Sequence, residues 1–262
     1  MAKGELVFIG IGLHDEKDIS LKGLEAAKSC DEVFAEFYTS TIPASCISKL
    51  ERLIEKPIQV LERKEVEEGK IILDSAMERK VGFLVVGDPM AATTHVSLRV
   101  SAEKRGIKTK LIHSSSVFTA IPGLLGLQHY KFGRTTSLVY PQDSYFPLSP
   151  YSVIEENLSR GLHTLVLLDI NREKGMYMSI REGIELLFDM EEKVGHGVIK
   201  EDMLMCGVAR AGSDNPLVRA APARILKGID FGPPLHTIVI PGQLHFVEEE
   251  ALQVLAGYQK RR

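Results

Sequence analysis

The chain has 262 residues, 44% apolar, 26% charged and 6% aromatic, the balance of an ordinary globular protein rather than a disordered or collagen-like one. Lys and Arg number 32 against 35 Asp and Glu, a formal charge of −3, so no broad basic field exists to engage a phosphate backbone and nucleic acid is not an expected partner. Apolar runs such as Thr164 to Leu168 and Thr237 to Ile240 fall far short of the roughly 18 residues of a membrane span. Glu5 also interrupts the start too early for a signal peptide, so a cytoplasmic protein without membrane contact is expected.

Along the chain, short β-branched runs alternate with segments of helical period, the pattern of an α/β fold built on parallel strands. Strands are predicted at Glu5 to Ile9, Glu32 to Glu36, Gly82 to Val86, Thr109 to Ile112, Ser137 to Tyr140, Thr164 to Leu168, Leu204 to Ala209 and His236 to Ile240. Helices are predicted at Ile19 to Lys28, Pro43 to Leu53, Lys70 to Arg79, Ala91 to Arg105, Val153 to Arg160, Met178 to Glu192 and Val247 to Ala256, the last ending on the C-cap glycine Gly257. Three prolines with Asp143, Ser144 and Ser149 break the pattern at Pro141 to Pro150. The expected organisation is an N-terminal α/β domain over 1–140, a linker over 141–150 and a C-terminal α/β domain over 151–262.

Ligands of parallel sheets bind beyond the carboxyl ends of the strands, and four turns stand out there. In Gly10-Ile11-Gly12-Leu13 two glycines let the backbone bend sharply and approach a ligand. The dinucleotide fingerprint then asks for a third glycine, but Asp15 stands at that position and the helix starts late, with Asp18 or Ser20 as its N-cap; both departures argue against a nicotinamide cofactor. In Val85 to Ala91, Asp88 is either a plain helix cap or a carboxylate sharing a cleft with free helix N–H groups, a pairing suited to a zwitterionic ligand. His113-Ser114-Ser115-Ser116-Val117 offers hydroxyls that either cap the apolar helix after them or meet a ligand. The fourth group comprises Leu168-Asp169-Ile170, Ala209 to Ser213 and Pro233 to His236.

Cys30, Cys46 and Cys206 lack C-x-x-C spacing and read as reduced, buried thiols, and the eight histidines show no metal-ligand spacing, so no metal site is expected. Lys260-Arg261-Arg262 reads as a solvated terminus.

Phe8 to Leu13, Ile19 to Leu24 and Gly87-Asp88-Pro89 together resemble, in order and spacing, the class III or tetrapyrrole-methylase-like S-adenosylmethionine methyltransferases. Glu36-Phe37-Tyr38-Thr39-Ser40, Gly87 to His95, His129 to Gly133, Gly161 to Thr164, Ala209 to Ser213 and Pro241 to His245 resemble the diphthine synthase branch of that family over nearly the full length. The resemblance implies two α/β domains, usually in a homodimer, with S-adenosylmethionine folded into the cleft between domains and S-adenosylhomocysteine as product. It implies translation elongation factor 2 as protein substrate, methylated successively to the trimethyl stage on the amine of a 3-amino-3-carboxypropyl group carried by one histidine, which gives diphthine in diphthamide biosynthesis. Matching motif positions place cofactor contacts at Leu13, Asp88, Ala91, Ser116, Val117, Leu168, Ala211 and His236, with Ser114 or Ser115 taking the serine's role if the loop register shifts.

Transfer of a methyl from a sulfonium needs mainly collinear positioning, with no metal or covalent intermediate, and no catalytic base is assigned from the sequence. Tyr38, Phe118, Tyr140, Tyr145 and Phe146 are either packing residues or an aromatic lining for a growing methylammonium. The competing readings are a methylase of a small tetrapyrrole, a nicotinamide-dependent oxidoreductase and a nucleoside-binding module without activity.

Overall fold

The structure, a computed structural model, describes residues 4–38, 40, 42–142, 145–172 and 174–260. Thr39 of the Glu36 to Ser40 motif, Asp143 and Ser144 of the proline-rich break, and Arg261 and Arg262 of the basic tail lie outside the described residues. Contacts divide the chain into two compact units, Met1–Val117 and Phe118–Arg262.

The first unit runs β1 (Glu5–Gly10), α1 (Leu21–Ser29), β2 (Glu32–Glu36), α2 (Ala44–Ile54), β3 (Gln59–Val60), α3 (Arg63–Glu68), α4 (Lys70–Ala76), β4 (Lys80–Val85), α5 (His95–Lys104) and β5 (Lys108–Ile112). Its sheet has the order β3-β2-β4-β1-β5, and every pair is parallel. Helices cover both faces, so β1 and β4 are apolar after their first residues, Glu5 and Lys80, and alternate residues feed opposite cores. Val7 and Ile9 pack with Leu50 and Leu84 on one side, while Leu6 and Phe8 pack with Ile72 and Phe83 on the other. Each such fully buried side chain contributes about 1.5–3 kcal/mol.

Ser20 is the N-cap of α1, its Oγ accepting the Gly23 N–H at 3.0 Å, which leaves Asp18 for another task. Helix α5 begins at His95 rather than Ala91, because residues 91–94 form a turn in which Ala92 adopts φ 54°.

Helix α6 (Val117–Leu125) crosses the division, and the second unit continues through a 3-10 turn at His129–Lys131, β6 (Thr136–Leu138), α7 (Ser149–Ser159), β7 (Thr164–Leu168), β8 (Ile170–Asn171), β9 (Met176–Tyr177), α8 (Ile180–Val194), β10 (Leu204–Ala209), β11 (Leu217–Pro222), α9 (Ala223–Leu226), β12 (His236–Ile240) and α10 (Phe246–Ala256). Its main sheet has the order β11-β10-β12-β7-β6. Only β6 and β7 pair in parallel, which corrects the expectation of parallel strands in this half. Alternation of strands with helices looks the same in either case, because β12 enters antiparallel between two strands, β7 and β10, that share one direction. Strand β11 escaped the sequence reading because Leu-Val-Arg-Ala-Ala-Pro has a short apolar run, and it lies at the sheet edge and ends on a proline.

β6 precedes the proline-rich segment and pairs with β7, so residues 118–140 group with the second unit by contact. α7 starts at Ser149, with Pro150 in its first turn, where a missing N–H costs nothing.

Candidate functional site

Parallel strands share one carboxyl edge, and the adjacency of β4, β1 and β5 sets three of the singled-out turns side by side there. After β1 the chain must turn tightly. A Cβ on Gly10 would sit 2.6 Å from the Gly87 carbonyl oxygen, and one on Gly12, at φ +80°, would sit 2.2 Å from Asp18 Cβ. Gly12 and Gly87 form an isolated bridge, with the Gly87 N–H donating to the Gly12 carbonyl at 2.6 Å. Asp18 Oδ2 accepts the N–H groups of Leu13 at 3.1 Å and His14 at 2.8 Å, locking the turn.

Asp88 joins the second and third turns. Its Oδ1 accepts the Met90 N–H at 3.0 Å, and its Oδ2 accepts the Ser114 N–H at 3.3 Å and faces His113 Nδ1 at 2.7 Å. The side chain is 14% exposed, while that of His113 is 69% exposed. Since α5 starts seven residues later, Asp88 does not cap that helix. Leu13 and the Ser115 carbonyl both approach Gly87, Ala91 donates its N–H to the Asp88 carbonyl at 3.2 Å, Ser116 is buried, and Val117 opens α6. The first unit therefore gathers Leu13, Asp88, Ala91, Ser116 and Val117 along one edge.

In the second unit the antiparallel insertion of β12 places its first residue beside the last residues of β7 and β10. His236 pairs with Ala209 and Thr237 with Leu167, so Leu168, Ala211 and His236 lie at one edge of this sheet too. His236 Nδ1 accepts the Ile180 N–H at 3.4 Å, and Nε2 faces the Gly232 and Pro233 carbonyls at 3.1 and 3.2 Å. That pattern fits a neutral ring protonated on Nε2, and burial lowers the His236 pKa in the same sense. Arg210, at φ 53°, ties the loop down through Nη1 to the carbonyls of Phe231 at 2.6 Å and Pro233 at 2.8 Å. Asp18 and Arg210 brace these loops, a part that the sequence does not single out for either. From sequence Asp18 reads only as a candidate cap, and nothing there marks Arg210 as a loop clamp.

The three thiols are buried, and burial pushes Cys30 and Cys46 up to about 11 and Cys206 further, so they are poor nucleophiles. Among the described residues no cluster of His, Cys, Asp and Glu has the makings of a metal site, and no helix is long and apolar enough to cross a membrane.

Residues 5–221 match the tetrapyrrole (corrin/porphyrin) methylase family. A diphthine synthase of Methanothermobacter thermautotrophicus is 50% identical over 252 residues, covering 96% of this chain and 96% of that protein. The chain belongs to the diphthine synthase family. A second member, from Methanosarcina mazei, is 50% identical over 256 residues, with the same coverage of both chains. A crystal structure of diphthine synthase matches with a TM-score of 0.86 at 39% identity, covering 96% of each chain. As a member of the diphthine synthase family, the protein is an S-adenosylmethionine-dependent methyltransferase.

The motifs that link the chain to diphthine synthases divide into two kinds in the structure. Gly87-Asp88-Pro89 shapes the strand-end edge just described. His129 to Gly133, Gly161 to Thr164 and Pro241 to His245 instead converge on Glu248, which is fully buried. Glu248 Oε1 accepts the Gln128 N–H at 2.8 Å and faces His163 Nε2 at 3.0 Å; Oε2 accepts the His245 N–H at 2.8 Å and is bonded by Lys131 Nζ. Burial alone would raise this carboxyl, but the donors from His245, Lys131, Gln128 and His163 outweigh it and hold Glu248 at about 2. His163 Nδ1 accepts the Gly242 N–H at 2.9 Å, so its ring is neutral with the proton on Nε2.

A comparable node stands at the first sheet. His95 Nδ1 faces the Pro89 carbonyl at 3.4 Å, and Nε2 faces the Tyr38 hydroxyl at 3.5 Å and Glu36 Oε1 at 3.9 Å. Burial lowers His95 to about 4, although the Pro89 bond pulls the other way, so the ring is uncharged at neutral pH and packs edge-on against Phe83. Burial raises the Tyr38 hydroxyl, whose ring carries the Arg63 guanidinium 5.2 Å from its centroid.

Proposed function

We propose that this methyltransferase modifies translation elongation factor 2, adding three methyl groups to the amine of a 3-amino-3-carboxypropyl group on one of its histidines to give diphthine. The observation that carries the reading is identity of 50% across 96% of the chain to diphthine synthases, joined to a strand-end edge made of glycine turns around a largely buried carboxylate.

The donor supplies a methyl already activated on a positively charged sulfur. The chain's own groups suit such a ligand: main chain free of Cβ atoms at Gly10 and Gly12, the Asp88 carboxylate, and a buried hydroxyl at Ser116. We place donor contacts at Leu13, Asp88, Ala91, Ser116 and Val117 on the first unit and at Leu168, Ala211 and His236 on the second. Leu168 and Ala211 act through backbone groups, which read an adenine edge without a charged side chain. A homodimer in the cytoplasm completes the reading.

Incubation with labelled methyl donor and elongation factor 2 bearing the unmethylated side chain should load three methyl groups by mass. Label on a tetrapyrrole in a parallel panel, and none on the factor, would overturn the assignment. Asp88→Ala should weaken donor binding at least tenfold in calorimetry, and unchanged affinity would remove Asp88 from the site.

A further inference from the structure

We infer that His113 is the base that takes the proton from the acceptor amine, held for that task by Asp88. The inference rests on the reading above that the Asp88 edge is where donor and acceptor meet. His113 follows β5 at the same carboxyl edge, and its Nδ1 lies 2.7 Å from Asp88 Oδ2. A carboxylate facing Nδ1 fixes the proton there and leaves the Nε2 lone pair outward, the arrangement by which an acid orients a histidine base. The ring is 69% exposed, and among the described residues Nε2 has no hydrogen-bond partner.

Two carboxylates at this edge are already engaged. Asp88 spends its oxygens on Met90, Ser114 and His113, and Asp18 spends Oδ2 on Leu13 and His14. His14, Asp15, Glu16 and Asp18 follow β1, and Lys108 and Lys110 lie on β5 itself; of all these charged and titratable groups together with Asp88, only Asp88 is paired with the His113 ring among the described residues. His95, a third histidine near this turn, is buried with both ring nitrogens engaged.

The chemistry calls for such a group. An aliphatic amine is protonated at neutral pH and so arrives with no lone pair to offer. His113 Nε2 accepts one N–H proton, and the nitrogen lone pair then forms a bond to the methyl carbon. The carbon–sulfur bond breaks with its electron pair remaining on sulfur, leaving a neutral thioether and a methylated ammonium. Each further methyl requires another proton to leave, and an exposed imidazole returns its proton to water between transfers. A fully buried base would not reset in this way. After the third transfer the nitrogen carries no proton, and the base has no further role.

The test is methyl transfer to elongation factor 2 by His113→Asn, whose amide can still donate to Asp88. The expected result is a fall in kcat of about a hundredfold at pH 7, the usual range for losing a general base, with donor affinity within twofold of the parent. The deficit should shrink as pH rises toward the amine's own pKa, and added imidazole should restore rate to His113→Ala. A rate and pH profile like the parent's would overturn the inference, as would a loss of donor affinity matching the loss of rate, which would make His113 only a strut. Asp88→Ala separates the two readings: donor affinity unchanged in that variant defeats the placement of the site, whereas lost affinity there with a parental profile in His113→Asn defeats the base alone.

Discussion

Asp88 in the first unit and Glu248 in the second each collect donors from segments far apart in the chain, yet the two side chains differ in what they leave over. Glu248 and its partner His163 are at 0% exposure, and its four donors are all internal. Asp88 keeps 14% of its side chain exposed and holds an imidazole that is 69% exposed. A carboxylate saturated inside the protein can only brace loops, whereas one that anchors an exposed ring at a strand-end edge still has chemistry to offer. Motif strength in the sequence does not separate the two cases, since both sets of residues carry the family resemblance.

The comparison is sharpened most by Glu248→Gln. Replacing the carboxylate removes the charge that the buried His163, two main-chain amides and the partly exposed Lys131 all face, and should cost about 3–5 kcal/mol in chemical unfolding. Donor affinity of the folded protein should stay unchanged. Parental stability would show that the node is not a brace.

Acid titration gives the next largest effect, with a different window for each of two buried groups. His95 is held at about 4 against an ordinary 6.5, so the stability it contributes is complete above about pH 6.5 and is lost as pH falls through 4. Glu248 is held at about 2 against an ordinary 4.5, so its contribution is complete above about pH 4.5 and is lost as pH falls toward 2. At about 1.4 kcal/mol per pH unit each is of order 3 kcal/mol. Far-ultraviolet circular dichroism should show the upper limb flattened in His95→Gln and the lower limb flattened in Glu248→Gln. A single shared limb in both variants would contradict the separate windows.

The smallest expected change is that of Ser20→Ala, which removes the N-cap of α1 at about 1 kcal/mol. Donor affinity should be untouched, because Asp18 and not the helix cap holds the Leu13 turn. A matching loss of affinity would show that the edge depends on the helix as well.

Much of this architecture is written in local pattern. All eight predicted strands exist as β1, β2, β4, β5, β6, β7, β10 and β12, and the seven predicted helices appear with shifted ends. The shifts have particular causes. Pro150 draws the start of α7 back to Ser149, and the turn over 91–94 pushes the start of α5 forward to His95. Short edge elements such as β3 and β11 are supported by partners distant in sequence and so leave little local trace.

The positions of strands and helices and the glycine turns follow from residue type and spacing, because periodicity and turn chemistry are set by neighbours along the chain, and the family shows in motifs that the chain shares with it. The direction of β12, the pairing of β6 with β7, and the division of related motifs into a buried brace and an open edge depend on which distant segments pair and pack. No window of sequence contains both members of such a pair, so burial and hydrogen-bond saturation, the properties that separate Asp88 from Glu248, emerge only once the sheets are assembled.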